Sequence, residues 1–198
     1  VTLRDPDRLG PALDDMGNTG QKILLDTGSA AAWIASRLTA AGAKIIPGPD
    51  LCALPKARKN AAEISGMRKA HIRDGAALCN FLAWLDEAAA NGALDEMTAS
   101  DRLESFRRAT GSLRDLSFPT ISAAGPNGAI VHYRASAKSN RMLELGNLYL
   151  LDSGAQYLDG TTDVTRTIAI GAPSAEQQDR FTRVLKGHIS LATIKFPR

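Results

Sequence analysis

The sequence predicts an α/β segment followed by an α+β segment. Three observations point there: a strand-helix-strand pattern over residues 22–47, a proline-rich stretch after it, and a long helical pattern leading into short strands. A strand-helix-strand alternation builds parallel sheet, whereas helices that precede a run of strands build layered α+β structure. At 198 residues the chain is expected to be one domain plus part of another.

Composition narrows the function classes. Hydrophobic residues make up 44% and charged residues 23% of the chain, which is ordinary for a globular protein. No apolar run approaches the roughly 20 residues needed to cross a bilayer, so no membrane partner is expected. The net charge of +3 comes from Lys and Arg spread along the chain without a block of like charges, so no nucleic-acid partner is expected either. The start, VTLRDPDRLGPALDD, lacks the basic and apolar regions of a secretory signal. Cys52 and Cys79 form no CxxC and have no nearby His pair. They read as buried small hydrophobes, and a reducing cytoplasm fits them.

After a polar lead-in, KILLD (22–26) reads as a buried strand, 29–42 as an Ala-rich helix and 44–47 as a second strand. Fewer than about 60 residues cannot build the sheet such a unit belongs to, so residues 1–57 are expected to be the C-terminal part of a larger α/β domain. PGPDLCALPKARKN, with its prolines, reads as a linker. Residues 58–198 then form the second region. Asn60 and Glu63 resemble a capping box, and Ile64, Met67, His71, Leu78, Leu82 and Leu85 recur at helical spacing. Thr98 and Asp101 can cap another helix, which Gly111 can close. Pro126-Asn127-Gly128 reads as a turn, 129–134 alternates like a strand, and 148–152 and 163–170 are the next strands. Ser174 and Gln177 then make a capping box for a helix carrying Phe181, Val184, Leu185 and Ile189, with His188 read as packing.

The chemistry concentrates in LLDSGAQYLDGTTDVTRTIAIG. Leu148, Leu150 and Asp152 share one strand face, so a carboxylate ends an apolar row. Such a group costs several kcal/mol unless an ion or several hydrogen bonds satisfy it. Asp163 shares its face with Thr165, Thr167 and Ala169, small neighbours that leave room for a hard cation held by oxygen. The plainer reading is a tight turn at Asp159-Gly160, with Asp163 a solvated strand end and Asp152 a backbone cap. That turn would pair Asp163 with Gln156 and leave Asp152 roughly 13 Å away along the strand, so a shared metal would need a longer loop or a bulge. An EF-hand is excluded, because Gly154 and Gln156 stand where oxygen ligands are wanted and no helices flank the loop.

The segments DSGAQYLDGTTDVTRT, SFPTISAAGPNGAIVHY and LPKARKNAAEISGMRKAHIRDGAAL together resemble aminopeptidase P of the pita-bread metallopeptidase family M24. The resemblance implies a creatinase-like N-terminal α/β domain, of which residues 1–57 are the end, followed by the N-terminal half of a pita-bread fold at 58–198. It implies two divalent metal ions, manganese being the expected metal, with Asp152 chelating one and Asp163 bridging both. A metal-bound hydroxide would attack the bond between residue one and a penultimate proline of a peptide substrate. His132, in GAIVHY, matches the histidine outside the metal shell that contacts substrate; read without the resemblance it is a strand histidine satisfied by a neighbour. Thr165 could hydrogen-bond a ligand. A homodimer is implied as a partner arrangement.

The family completes its site with a histidine in an HGTGH-like stretch and two glutamates, none of which occurs after the hairpin in this sequence. The expectation is a chain inactive alone, an internal fragment of a cytoplasmic enzyme. A non-enzymatic peptide- or protein-binding module is the alternative, and a creatine or proline-dipeptide hydrolase a third reading.

Overall fold

Strands β1 (Lys22–Leu25) and β2 (Lys44–Pro47) lie parallel, with Lys22 opposite Lys44 and Leu25 opposite Pro47. Parallel neighbours need a crossover, and α2 (Ala32–Ala40) supplies it. The computed structural model describes residues 3–90 and 92–196. It divides into two compact units, the first ending at Asn60 and the second beginning at Ala61.

In the first unit a helix, α1 (Leu9–Asn18), occupies part of the stretch read as a polar lead-in. Its buried positions are Gly10, Leu13 and Gly17, so a single large apolar side chain marks its inner face and the periodicity is weak. Leu13, Leu38 and Ala43 form this unit's small core, with Ile23, Ile34 and Ile45 against them. The proline-rich stretch contains a short exposed helix, α3 (Ala53–Ala57).

The second unit opens with α4 (Ala61–Ala90) and α5 (Glu96–Ala109). The α4 stripe that faces inward runs through Gly66, Ala70, Asp74, Ala77, Phe81, Leu85 and Ala89. It is rotated from the stripe suggested by apolar spacing, since Ile64, Met67 and His71 are exposed. Close approach of backbone explains the rotation: a Cβ at Gly66 would stand 2.5 Å from the carbonyl oxygen of Asp159, so small residues must face that way. Cys52 and Cys79 are likewise exposed and free rather than buried. Helix α5 is capped by Asp95, whose side chain accepts the Thr98 N–H, one turn before the caps proposed from sequence.

A bent antiparallel sheet lies against these helices. Its middle strand is β5 (Leu148–Ser153), continued by β6 (Ala155–Tyr157). One flank is β4 (Ile121–Ala124), with β3 (Asp115–Leu116) beside β6; the other is β8 (Val164–Ala169), with β7 (Gly160–Thr161) beside β6. Leu78, Phe81 and Leu85 of α4 and Leu103 of α5 pack on Tyr149 and Leu151 of β5 to make the main core. The strand expected over 129–134 is absent. Gly125–Ala129 forms a 3-10 turn and Val131-His132 another turn, because buried hydrogen bonds to Asn127 and Tyr133 fold this stretch back. Helix α6 (Ala175–Thr193) begins with the expected Ser174/Gln177 capping box. It buries no residue, so Phe181, Val184, His188 and Ile189 are exposed rather than packed. Among the described residues no helix is long and apolar enough to cross a membrane.

Candidate metal site

The sheet places its carboxylates by register. Asp152 pairs with Thr165 and Ser153 with Val164 across β5 and β8. Beyond them Gln156 pairs with Thr161 and Tyr157 with Gly160, in the same frame. The turn is therefore Leu158-Asp159, one residue earlier than Asp159-Gly160, and each strand slides so that Asp163 falls opposite Gly154 instead of Gln156. Continued one residue past Val164, this register sets Asp163 diagonal to Asp152, a position at which side chains on neighbouring strands come within about 7–8 Å. No bulge or longer loop is needed to bring the two together.

The break between the two halves of the hairpin has its own chemistry. The Thr162 N–H donates to the Ala155 carbonyl, but the Ala155 N–H finds the Thr162 hydroxyl at 3.0 Å instead of a carbonyl. The Thr162 carbonyl is turned aside and accepts from Ser117 Oγ at 2.9 Å. Gly154 sits beneath this crossing, where a Cβ would lie 2.0 Å from the Thr162 oxygen and 2.1 Å from Ser117 Oγ. Only glycine fits.

Asp152 is half-buried and Asp163 exposed. Thr165 Oγ1 donates to Asp152 Oδ1 at 2.9 Å, which orients that carboxylate and leaves its other oxygen open. Among the described residues neither carboxylate has a Lys or Arg partner. A carboxylate oriented by a hydroxyl and a second, exposed one, neither paired with a cation, suit a hard divalent ion. Among the described residues no third His, Cys, Asp or Glu joins them in a metal-sized cluster.

His132 sits on the loop after β4 and is exposed. Its φ is 54°, the left-handed region, and it is the non-glycine residue that adopts it among those described. That conformation costs a branched-free side chain roughly 1 kcal/mol or more and recurs at functional sites. The next residue, Tyr133, packs on Ile121, Ala123 and Leu150. Ile121 is the register partner of Asp152 and Leu150 shares its face, so the loop carrying His132 covers the sheet face that carries the carboxylates.

Sequence reasoning missed a buried polar network behind the site. The Arg107 guanidinium pairs bidentately with Asp74, at 2.8 and 3.0 Å, and also donates to Ser153 Oγ at 3.1 Å and the Gly154 carbonyl at 3.5 Å. Tyr157 donates its hydroxyl to Asp74 at 2.8 Å, and burial with this bond pushes the phenol well above its ordinary value. Arg107 is fully buried and Asp74 almost so. The signal was available: Arg107 follows Ala99 and Leu103 at helical spacing on the buried stripe of α5.

The sequence profile of metallopeptidase family M24 matches residues 65–198. Among curated relatives, the Xaa-Pro aminopeptidase ApepP of Drosophila melanogaster is 51% identical over 74% of this chain and 24% of its own length. Aminopeptidase P1 of Lotus japonicus is 43% identical over 91% of this chain and 30% of its own length. The chain therefore spans about a quarter to a third of the curated relatives it matches. Among solved structures, the X-prolyl aminopeptidase of Caenorhabditis elegans, described as a cytosolic enzyme with a di-nuclear active site, superposes with a TM-score of 0.69 at 31% identity, covering 89% of this chain and 36% of that one. The Xaa-Pro dipeptidase of Bacillus anthracis superposes with a TM-score of 0.73 at 27% identity, covering 89% of this chain and 49% of that one.

Proposed function

The chain belongs to metallopeptidase family M24, and on that premise we propose that the protein releases the N-terminal residue from peptides with proline in second position. The observation that carries the reading is the register of β5 and β8, which supports a diagonal placing of Asp163 beside Asp152, with Asp152 oriented by Thr165 and neither carboxylate paired with a Lys or Arg among the described residues. Asp152 and Asp163 are the proposed ligands of two divalent ions, manganese first among them. When bound, such ions polarise the scissile carbonyl and acidify water. The chain's own groups do the rest of the work proposed here: Thr165 fixes the Asp152 carboxylate, and His132 offers a ring nitrogen to the substrate and to the oxygen that gains charge.

The 198 residues alone are proposed to be inactive, since two carboxylates hold a divalent ion weakly and a two-metal centre needs a fuller cage. The residue ranges 1–57 and 58–198 are proposed as the end of a non-catalytic α/β domain and the first half of the catalytic one. A cytoplasmic location is proposed by analogy with the cytosolic nematode enzyme, together with homodimerisation. The alternative reading is a module that binds peptides without cleaving them.

One experiment separates them. The natural full-length protein is stripped with a chelator, reloaded with manganese and offered a peptide beginning Xaa-Pro. Release of the first residue that returns with manganese, and that falls at least about 100-fold in Asp152→Asn and Asp163→Asn, supports the peptidase. Peptide binding without cleavage by the manganese-loaded protein overturns it in favour of the binding module.

A further inference from the structure

We propose that Glu96 is a positioning residue for His132, clamping the loop on which that histidine is held in its strained turn. Glu96 is the first residue of α5 and fully buried. Its Oε1 accepts from the Ala124 N–H at 2.7 Å and from Asn127 Nδ2 at 2.9 Å. Its Oε2 accepts from the Tyr133 hydroxyl at 2.7 Å and the Arg141 N–H at 3.2 Å. The backbone joins in: the Glu96 N–H donates to the Arg141 carbonyl, and the Glu96 carbonyl accepts from Ser122 Oγ. One residue thus ties both ends of the 124–141 loop and its middle.

The match is chemical as well as geometric. An ionised carboxylate offers only acceptors, and four donors converge on it. His132 makes no side-chain hydrogen bond among the described residues, so its left-handed backbone is sustained by its neighbours. Tyr133 is the direct link: adjacent to His132, its hydroxyl bonds Glu96, accepts from Asn127 Nδ2 at 2.8 Å and lies 3.0 Å from the Ser139 carbonyl. Glutamine in place of Glu96 would keep the shape and turn an NH₂ donor toward two donors. Phenylalanine at 133 would remove one arm and leave the other three.

The inference rests on the proposed role of His132 in peptide cleavage. The test uses the natural full-length protein loaded with manganese, comparing wild type, Glu96→Gln, Tyr133→Phe, His132→Ala and Glu96→Gln with His132→Ala. Expected are a kcat lowered about 10-fold or more in Glu96→Gln, manganese affinity by calorimetry changed less than about twofold, and faster amide exchange at residues 130–134. In the His132→Ala background Glu96→Gln should add nothing, because its effect passes through the histidine. An undiminished Glu96→Gln penalty in that background overturns the proposal, as does unchanged exchange at 130–134. If Glu96→Gln fails to fold, Tyr133→Phe carries the same readouts. If the wild type cleaves no Xaa-Pro peptide, the peptidase reading has failed separately, and the exchange comparison still decides whether Glu96 holds the turn.

Discussion

Single residues decide how closely the hairpin halves approach. Gly154 has no freedom to gain a side chain, because the atoms it would strike are a main-chain carbonyl and the hydroxyl bonded to it. Gly154→Ala should therefore cost about 3 kcal/mol, with melting temperature as the readout, and a loss below about 1 kcal/mol would show that the crossing relaxes freely. Arg107 is the second such residue. Its side chain is 0% exposed and that of Asp74 3%, so removing the cation strands a buried carboxylate. Arg107→Met should destabilise by about 3–5 kcal/mol in a denaturant titration, whereas Arg107→Met with Asp74→Asn should recover part of that loss.

At the scale of elements, the hairpin's outer end is fastened to α4. Arg73 grips Asp159 with two bonds of 3.1 Å and lies over the Tyr157 ring at 5.0 Å. The Arg73 guanidinium holds the Asp159 carboxyl below its ordinary value, so the pair's contribution is present above that value and is lost as pH falls through the lower folded one. Asp159→Asn should accordingly lower the melting temperature at neutral pH and flatten the acid limb of a plot of melting temperature against pH, the two curves converging at low pH. An identical acid limb in wild type and variant would remove the pair from the account. The hairpin also shows where reading the sequence succeeds and stops. Period-two alternation placed Leu148, Leu150 and Asp152 on one face of their strand and Thr165, Thr167 and Ala169 on one face of theirs, because a strand's faces follow from residue number alone, and the register sets these two rows opposite each other. The turn was misplaced by one residue because Asp-Gly is a strong local signal, and here the Arg73 contact and close packing on Gly66 outweigh it. The same reason hid the inner stripe of α4: small residues score as neutral in an apolar pattern, yet they face inward wherever another backbone comes near. Glu96 and Arg107 escaped notice because the partners of their side chains lie 28 and 33 residues or more away in sequence, the nearest at Ala124 and Asp74.

For the whole molecule, all three tyrosines are buried in hydrogen-bonded positions: Tyr133 on Glu96, Tyr149 against Ser122 and Tyr157 on Asp74. Burial raises each phenol above its ordinary value, and for Tyr133 and Tyr157 the neighbouring carboxylate raises it further. The sign follows from linkage. The unfolded chain gives up these protons near pH 10 while the folded chain retains them, so their contribution is complete below about pH 10 and is lost as pH rises through the folded values. Phenolate absorbance measured on the 198-residue chain should therefore rise at higher pH under native conditions than in denaturant, where all three tyrosines give a step near pH 10. Unfolding above pH 10 should be cooperative, since ionising a phenol disturbs a buried hydrogen bond that joins β6 to α4 (Tyr157), the loop to α5 (Tyr133) or β5 to β4 (Tyr149), and melting temperature should fall together with the appearance of phenolate. Replacing Tyr149 by Phe should soften that alkaline fall, because one of the three linked protons is gone. A native titration step near pH 10 with the amplitude of one residue or more would mean that a tyrosine is open to water, and the packing of β5 against the helices would have to be revised around it.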